Sequence, residues 1–162
     1  IEKQAFELFS DALVDLIASR QREGEELKGF IQKRIDSIRK TVTTVKAAMP
    51  EILAAQRQNL ADKLEELKAD LEPSRLEQEI ALLAQKADVD EELDRLVSHL
   101  NEVERVISSA GQKGRRLDFL MQELNREANT LSSKSIVAET TLNAVELKVL
   151  IEQMREQIQN VE

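Results

Sequence analysis

His99, the chain's one histidine, stands in a row with Asp88, Glu92, Arg95 and Glu102, spaced four, three, four and three residues apart. On a helix that spacing puts all five side chains along one edge. Two readings fit the row. One is a run of intrahelical ion pairs, such as Glu91 or Glu92 with Arg95. The other is a set of groups facing a site shared with another helix. Geometry restricts a metal in the second reading: Glu92 and His99 are two turns apart, about 10.5 Å of rise, and do not comfortably hold one ion between them. Asp88 with Glu92 can do so, or His99 with a carboxylate such as Asp118 or Glu123 supplied by a neighbouring helix.

That neighbour is the stretch 114–134, GRRLDFLMQELNREANTLSSK. Wound at about 100° per residue it splits into two faces. Leu117, Leu120, Met121, Leu124, Ala128 and Leu131 form an apolar face. Arg115, Asp118, Gln122, Arg126, Asn129 and Ser133 form the opposite one, with Arg116 and Glu123 towards its edge. Phe119, one of four aromatic residues in the chain, falls among these polar groups. A large ring there either packs against another helix or subunit, the commoner case, or stacks on a ligand. Lys113, Arg115 and Arg116, with Arg126 and Lys134 further on, make the best local basic patch. The chain as a whole carries a net charge of −8, so any nucleic-acid site is a positive patch on an acidic body.

Several chemistries are excluded by what is missing. There is no cysteine, hence no thiolate nucleophile, disulfide or thiolate metal site, which fits a reducing, cytoplasmic setting. No Gly-rich phosphate loop, Cys/His zinc spacing or nucleophile elbow occurs, and a second histidine for paired acid and base work is lacking. Chemistry here must use carboxylates, arginines and His99. No apolar run reaches membrane-span length and no signal peptide opens the chain. Ile1 begins in mid-helix pattern, which is expected of part of a longer protein.

The elements that must position these groups are helices. Four Gly, two Pro and 2% aromatic residues, against 33% charged, are the usage of long helices joined by aliphatic seams. The predicted fold is all-α: long amphipathic helices, an antiparallel helical hairpin and a helical bundle. Phe6, Phe9, Leu13 and Leu16, widened by Ala5, Ala12 and Ile17, mark the first helix. Gly24 and Gly29 bend it or are simply passed. Ile31, Ile35, Ile38, Val42, Val45 and Met49 follow as a heptad seam. Met49-Pro50 is predicted to stop this helix and Pro50 to start the next. Leu53, Leu60, Leu64, Leu67 and Leu71 would then return antiparallel, making residues 1–71 a long helix and hairpin arm.

Glu72-Pro73-Ser74 breaks the chain again, and 74–162 reads as a bundle. A helix over 74–87 is followed by a capping box, Asp88 with Glu91, and a helix to Ile107. A loop at 110–113 precedes the motif helix, placed at 115–131. Serines 132, 133 and 135 are suited to capping the last helix, whose strict three/four pattern runs over Val137, Thr140, Ala144, Leu147, Ile151, Met154, Ile158 and Val161.

The run GRRLDFLMQELNREANTLSSK, then ELKVLIEQMREQIQNVE at the C-terminus, resembles the end of proteins of the YicC/YloC family. RLEQEIALLAQKADVDEELDRLVSHL resembles that family's middle motif and SRQREGEELK an earlier one. The resemblance covers essentially the whole chain as ordered, specific blocks; Lys86 stands where arginine is common, which keeps a basic group there. It implies that this is the C-terminal part of proteins nearly twice as long, with an N-terminal α/β domain absent and that domain's share of any active site absent too.

The resemblance further implies a bacterial cytoplasmic endoribonuclease, dependent on a divalent metal (Mg²⁺ or Mn²⁺), that cuts structured or small regulatory RNAs as a ring-like homo-oligomer, a hexamer, around the RNA. On that basis Glu92, His99, Asp118 and Glu123 are the candidate catalytic and metal residues, since carboxylate-rich sites suit hard ions. Arg95, Arg115, Arg116, Phe119, Gln122, Arg126 and Lys134 are the candidate RNA-binding set, the arginines for phosphates and Phe119 for a base. For each carboxylate a plain ion pair to a neighbouring arginine is the competing reading. For the whole chain the alternative is a non-catalytic oligomerisation and RNA-clamping module.

Overall fold

The computed structural model describes residues 2–66, 78, 80, 81 and 89–159. Among the described residues four helices carry the architecture: α1 (Glu2–Glu66), α2 (Asp90–Ser108), α3 (Gly114–Lys134) and α4 (Ala138–Ile158). The fold is all-α. Among the described residues no helix is long and apolar enough to cross a membrane.

The heptad seams predicted from the sequence converge on one core. Ile31, Ile35, Ile38, Val42, Val45 and Met49 of α1 are buried against Leu93, Leu96, Leu100 and Val103 of α2 and the Leu/Met face of α3. Ala144, Leu147, Ile151, Met154 and Ile158 of α4 close it. α3 packs between α2 and α4, and α1 lies against the other side of both. Polar ties fix the register of α1: Arg39 donates to both Glu104 oxygens at 2.8 Å, Lys46 to Asp94 at 2.8 Å, and Arg34 to Gln153 on α4 at 3.3 Å.

α1 corrects two expectations. It runs unbroken through Pro50, so the turn predicted at Met49-Pro50 is not formed and no hairpin begins there. A proline inside a helix removes one hydrogen bond and costs about 3 kcal/mol. Here the apolar seam continues across it: Met49 is buried, and Ile52 and Leu53 pack against the core beyond. At about 1.5–3 kcal/mol for each fully buried aliphatic side chain, one full and two partial burials offset the proline. The helix also passes Gly24 and Gly29 without interruption. Its N-terminal turns leave Phe6, Phe9, Leu13, Leu16 and Ile17 exposed.

The caps differ as well. α2 starts at Asp90 with the buried Val89 in the cap position and no side-chain cap bond; Asp90, Glu91 and Glu92 supply the favourable negative charge at that end instead. Asp88, expected to be the cap, lies outside the described residues, as do the Glu72-Pro73-Ser74 break, Leu67, Leu71, Lys86, Val161 and most of the predicted helix 74–87. α3 extends through the serine cluster to Lys134. Ser133 Oγ bonds back to the Thr130 carbonyl, and Val137, not a serine, occupies the cap of α4.

Candidate functional site

α2 and α3 are antiparallel neighbours joined by the short loop 109–113, and their hydrophobic faces leave one polar edge of each helix side by side. The row read from the sequence on α2 therefore meets a matching row on α3. Glu92 faces Lys134, Arg95 faces Glu127, His99 faces Glu123 and Glu127, and Glu102 faces Arg116. As the number rises along α2 it falls along α3, as antiparallel packing requires.

Three rungs of this ladder are ion pairs. Lys134 Nζ donates to both Glu92 oxygens at 3.0 and 3.1 Å, and the Glu92 side chain is only 6% exposed. Arg95 is held by Glu91 one turn back and reaches Glu127 Oε1 at 3.7 Å. Glu102 accepts from Arg105 at 2.7 Å and from Arg116 at 3.2 Å. Those two guanidiniums, Arg105 first, hold the Glu102 carboxyl far below its usual range, at about 2. The intrahelical pairs read from the sequence are formed, and the same row also faces α3.

The fourth rung is different. His99, Glu123 and Glu127 each bring a ligating atom within 4.8 Å of the others, and this is the one such group among the described residues. Glu123 and Glu127 are one turn apart on the same edge of α3, where like charges repel unless something cationic lies between them. Two ligands on opposite sides of one small divalent ion are about 4 Å apart, so a slight rotation of the side chains closes the set on an ion. One imidazole and two carboxylates are donors that Mn²⁺ and Mg²⁺ accept.

Of the four residues predicted as ligands, His99 and Glu123 meet. Glu92 is engaged by Lys134, two turns from His99, and lies outside the group. Asp118 is outside it too: five residues before Glu123, it projects towards the outer face and accepts from Gln122 Nε2 at 2.8 Å. Glu127 was missed. Its signal was present in the sequence as the i+4 partner of Glu123, but on α3 alone it is one more acid beside the apolar face; it is 4% exposed.

The outer face of α3 keeps the polar character read from the sequence. Arg115 and Arg126 are exposed and form no ion pair among the described residues. Phe119 is 48% exposed, with the Arg116 guanidinium over its ring at 5.6 Å. It is not taken into the core, and packing within the described chain does not account for it. These groups flank the His99–Glu123–Glu127 edge within about a quarter turn of helix.

Residues 45–162 match the family model described as endoribonuclease YicC-like, C-terminal. The chain belongs to this family. Over 162 residues it is 54% identical to the probable endoribonuclease YicC of Haemophilus influenzae, a match covering 100% of the chain and 56% of that protein. Over 89 residues it is 45% identical to the probable endoribonuclease YicC of Clostridioides difficile, covering 55% of the chain and 30% of that protein. The chain thus spans little more than half the length of the first relative. All four rungs of the ladder fall inside the span matched by the YicC-like family model.

Proposed function

We propose that this chain is the C-terminal part of an endoribonuclease that cleaves RNA phosphodiester bonds with a divalent metal held by His99, Glu123 and Glu127. The observation that carries the reading is the fourth rung: two carboxylates converge on an imidazole where every other rung of the seam pairs an acid with a base. A Mg²⁺ or Mn²⁺ ion held by these three residues would supply charge neutralisation for the scissile phosphate and a bound water of lowered pKa. The imidazole favours Mn²⁺ of the two.

The chain's own groups do the rest. Arg115 and Arg126 hold flanking phosphates, the guanidinium fork suiting bidentate contact. Phe119 offers half its ring to an unstacked base. Gln122, tied to Asp118, lies between these on the same face. Arg95, fixed by Glu91, stands beside Glu127 and orients that carboxylate. Lys134 and Arg116 are occupied by Glu92 and Glu102 and act on RNA only as part of the surrounding field. The family resemblance adds a cytoplasmic hexamer, with an N-terminal α/β domain that completes the site. The apolar stripe of α1 from Phe6 to Ile17 is available for such assembly.

The test is cleavage of a structured RNA by the full-length protein with Mg²⁺, Mn²⁺ or EDTA, alongside a gel-shift for binding. Cleavage that EDTA abolishes, that Glu123→Gln and Glu127→Gln lose while still binding RNA, and that Arg126→Ala loses together with binding is the expected pattern. If both glutamate variants cut at the wild-type rate, the chemistry lies elsewhere and this chain is a helical clamp.

A further inference from the structure

Phe119 stands one helical turn before Glu123 on the outer side of α3 and is 48% exposed. Residues three and four positions away are a side chain's neighbours on a helix surface. For Phe119 these are Arg115, Arg116, Gln122 and Glu123, and none of the four is apolar. A subunit contact buries apolar side chains in groups, which this lone ring does not offer.

One face of the ring has an occupant. The Arg116 guanidinium lies over it, 5.6 Å from the centroid. Arg116 also donates to Glu102 Oε1 on α2 at 3.2 Å. Glu102 is itself fixed by two bonds from Arg105, both at 2.7 Å. A free arginine side chain samples many rotamers, whereas one tied to a neighbouring helix keeps its plane in place. The series Glu102, Arg116, Phe119 thus holds a half-exposed ring backed by a cation. That arrangement suits stacking of a nucleobase on the remaining face.

Position narrows which base. Phe119 and Glu123 are about 40° apart around α3 and about 6 Å apart along it. That rise is between one and two stacked nucleotides at roughly 3.4 Å each. A base on Phe119 therefore lies within two nucleotides of a phosphate at the His99–Glu123–Glu127 edge. In a duplex both faces of a base are covered by its neighbours, so the ring can take only a base outside the stack.

We propose that Phe119 determines specificity by stacking on an unpaired base within two nucleotides of the scissile bond, with Glu102 as a positioning residue acting through Arg116. The assignment rests on the nuclease reading and narrows its substrate, from RNA in general to RNA with a loop, bulge or free end at the cut.

The full-length protein is tested with a hairpin RNA carrying the fluorescent base 2-aminopurine in its loop, and with the same strand fully paired to its complement. EDTA separates binding from cutting. In EDTA the wild type is expected to quench the loop base, Phe119→Leu to lose the quenching, and Phe119→Trp to retain it. With Mn²⁺, Phe119→Leu is expected to raise KM for the hairpin about tenfold. Glu102→Ala is expected to raise it about threefold, an effect that vanishes in a Phe119→Leu background. The paired RNA is expected to be cut poorly. Wild-type quenching by Phe119→Leu, or equal cutting of paired and hairpin RNA, overturns the specificity role and leaves the nuclease reading standing. Loss of subunit assembly by Phe119→Leu in sedimentation, with quenching retained, overturns it too and assigns the ring to a protein contact. A Glu102→Ala effect that persists without the ring overturns the positioning role. Absence of metal-dependent cleavage by the wild type overturns the nuclease reading and this one with it. Circular dichroism confirms that the variants are helical.

Discussion

His99 of α2 and Glu127 of α3 face each other across the seam between two antiparallel helices, with ligating atoms within 4.8 Å and Glu123 one turn away completing the set. No stretch of sequence contains this arrangement; the packing of the two helices makes it.

Replacing Glu127 with Gln should lower the affinity for Mn²⁺ at least about 100-fold, as should His99→Ala, while the fold survives. Glu127→Gln relieves the repulsion with Glu123 and gives up the pair with Arg95, so apo stability should change by no more than about 0.5 kcal/mol. Isothermal titration with Mn²⁺ and thermal unfolding of the apo protein check the two halves. Wild-type Mn²⁺ affinity in Glu127→Gln would remove this glutamate from the site.

Glu92 and Lys134 predict a structural outcome in place of the RNA binding expected of the lysine from sequence. The Glu92 side chain is 6% exposed and that of Lys134 31% exposed. Lys134→Met leaves a nearly buried carboxylate without its cation and should cost about 2–3 kcal/mol, less than for a fully buried pair because solvent reaches one side. The double variant Glu92→Leu with Lys134→Met should recover most of that loss. Urea unfolding of the single and double variants measures it.

Glu102 carries a pH dependence. Its carboxyl titrates at about 2 in the folded protein, against 4.5 for a free glutamate, because Arg105 and Arg116 favour the ionised form. The interaction therefore stabilises the fold above about pH 4.5 and is lost progressively as the pH falls through about 2. NMR titration of the Glu102 carboxyl should show the low midpoint. Arg105→Gln should move it upward, since Arg105 is the larger cause.

Pro50 should be a site of stabilisation. The residue is exposed in the interior of α1, with helix on both sides of it. Pro50→Ala restores the missing N–H to the helix and removes the ring's clash, and should raise stability by up to about 3 kcal/mol. Chemical denaturation of the variant checks this; a loss of stability would mean that a kink at Pro50 is needed to seat Ile52 and Leu53.

The all-α fold was legible because side-chain periodicity is local information. The seam Ile31–Met49, the apolar face Leu117–Leu131 and the repeat Thr140–Ile158 each name their buried residues without reference to any other helix, and all three are buried. The exposed Arg115, Phe119 and Arg126 were legible for the same reason: a helix that buries one face must present the other. Pro50 was misread because a local rule disfavours helix at that point, while Ile52 and Leu53 gain their burial from residues distant in sequence. Two of the three residues of the proposed metal group, His99 and Glu123, followed from residue type and face. Its third member depended on the axial offset and rotation of α3 against α2, which interdigitation of Leu93, Leu96 and Leu100 with Leu120, Leu124 and Leu131 sets. A sequence determines which residues lie on a helix edge; only the packed core decides which two edges meet, and at what height.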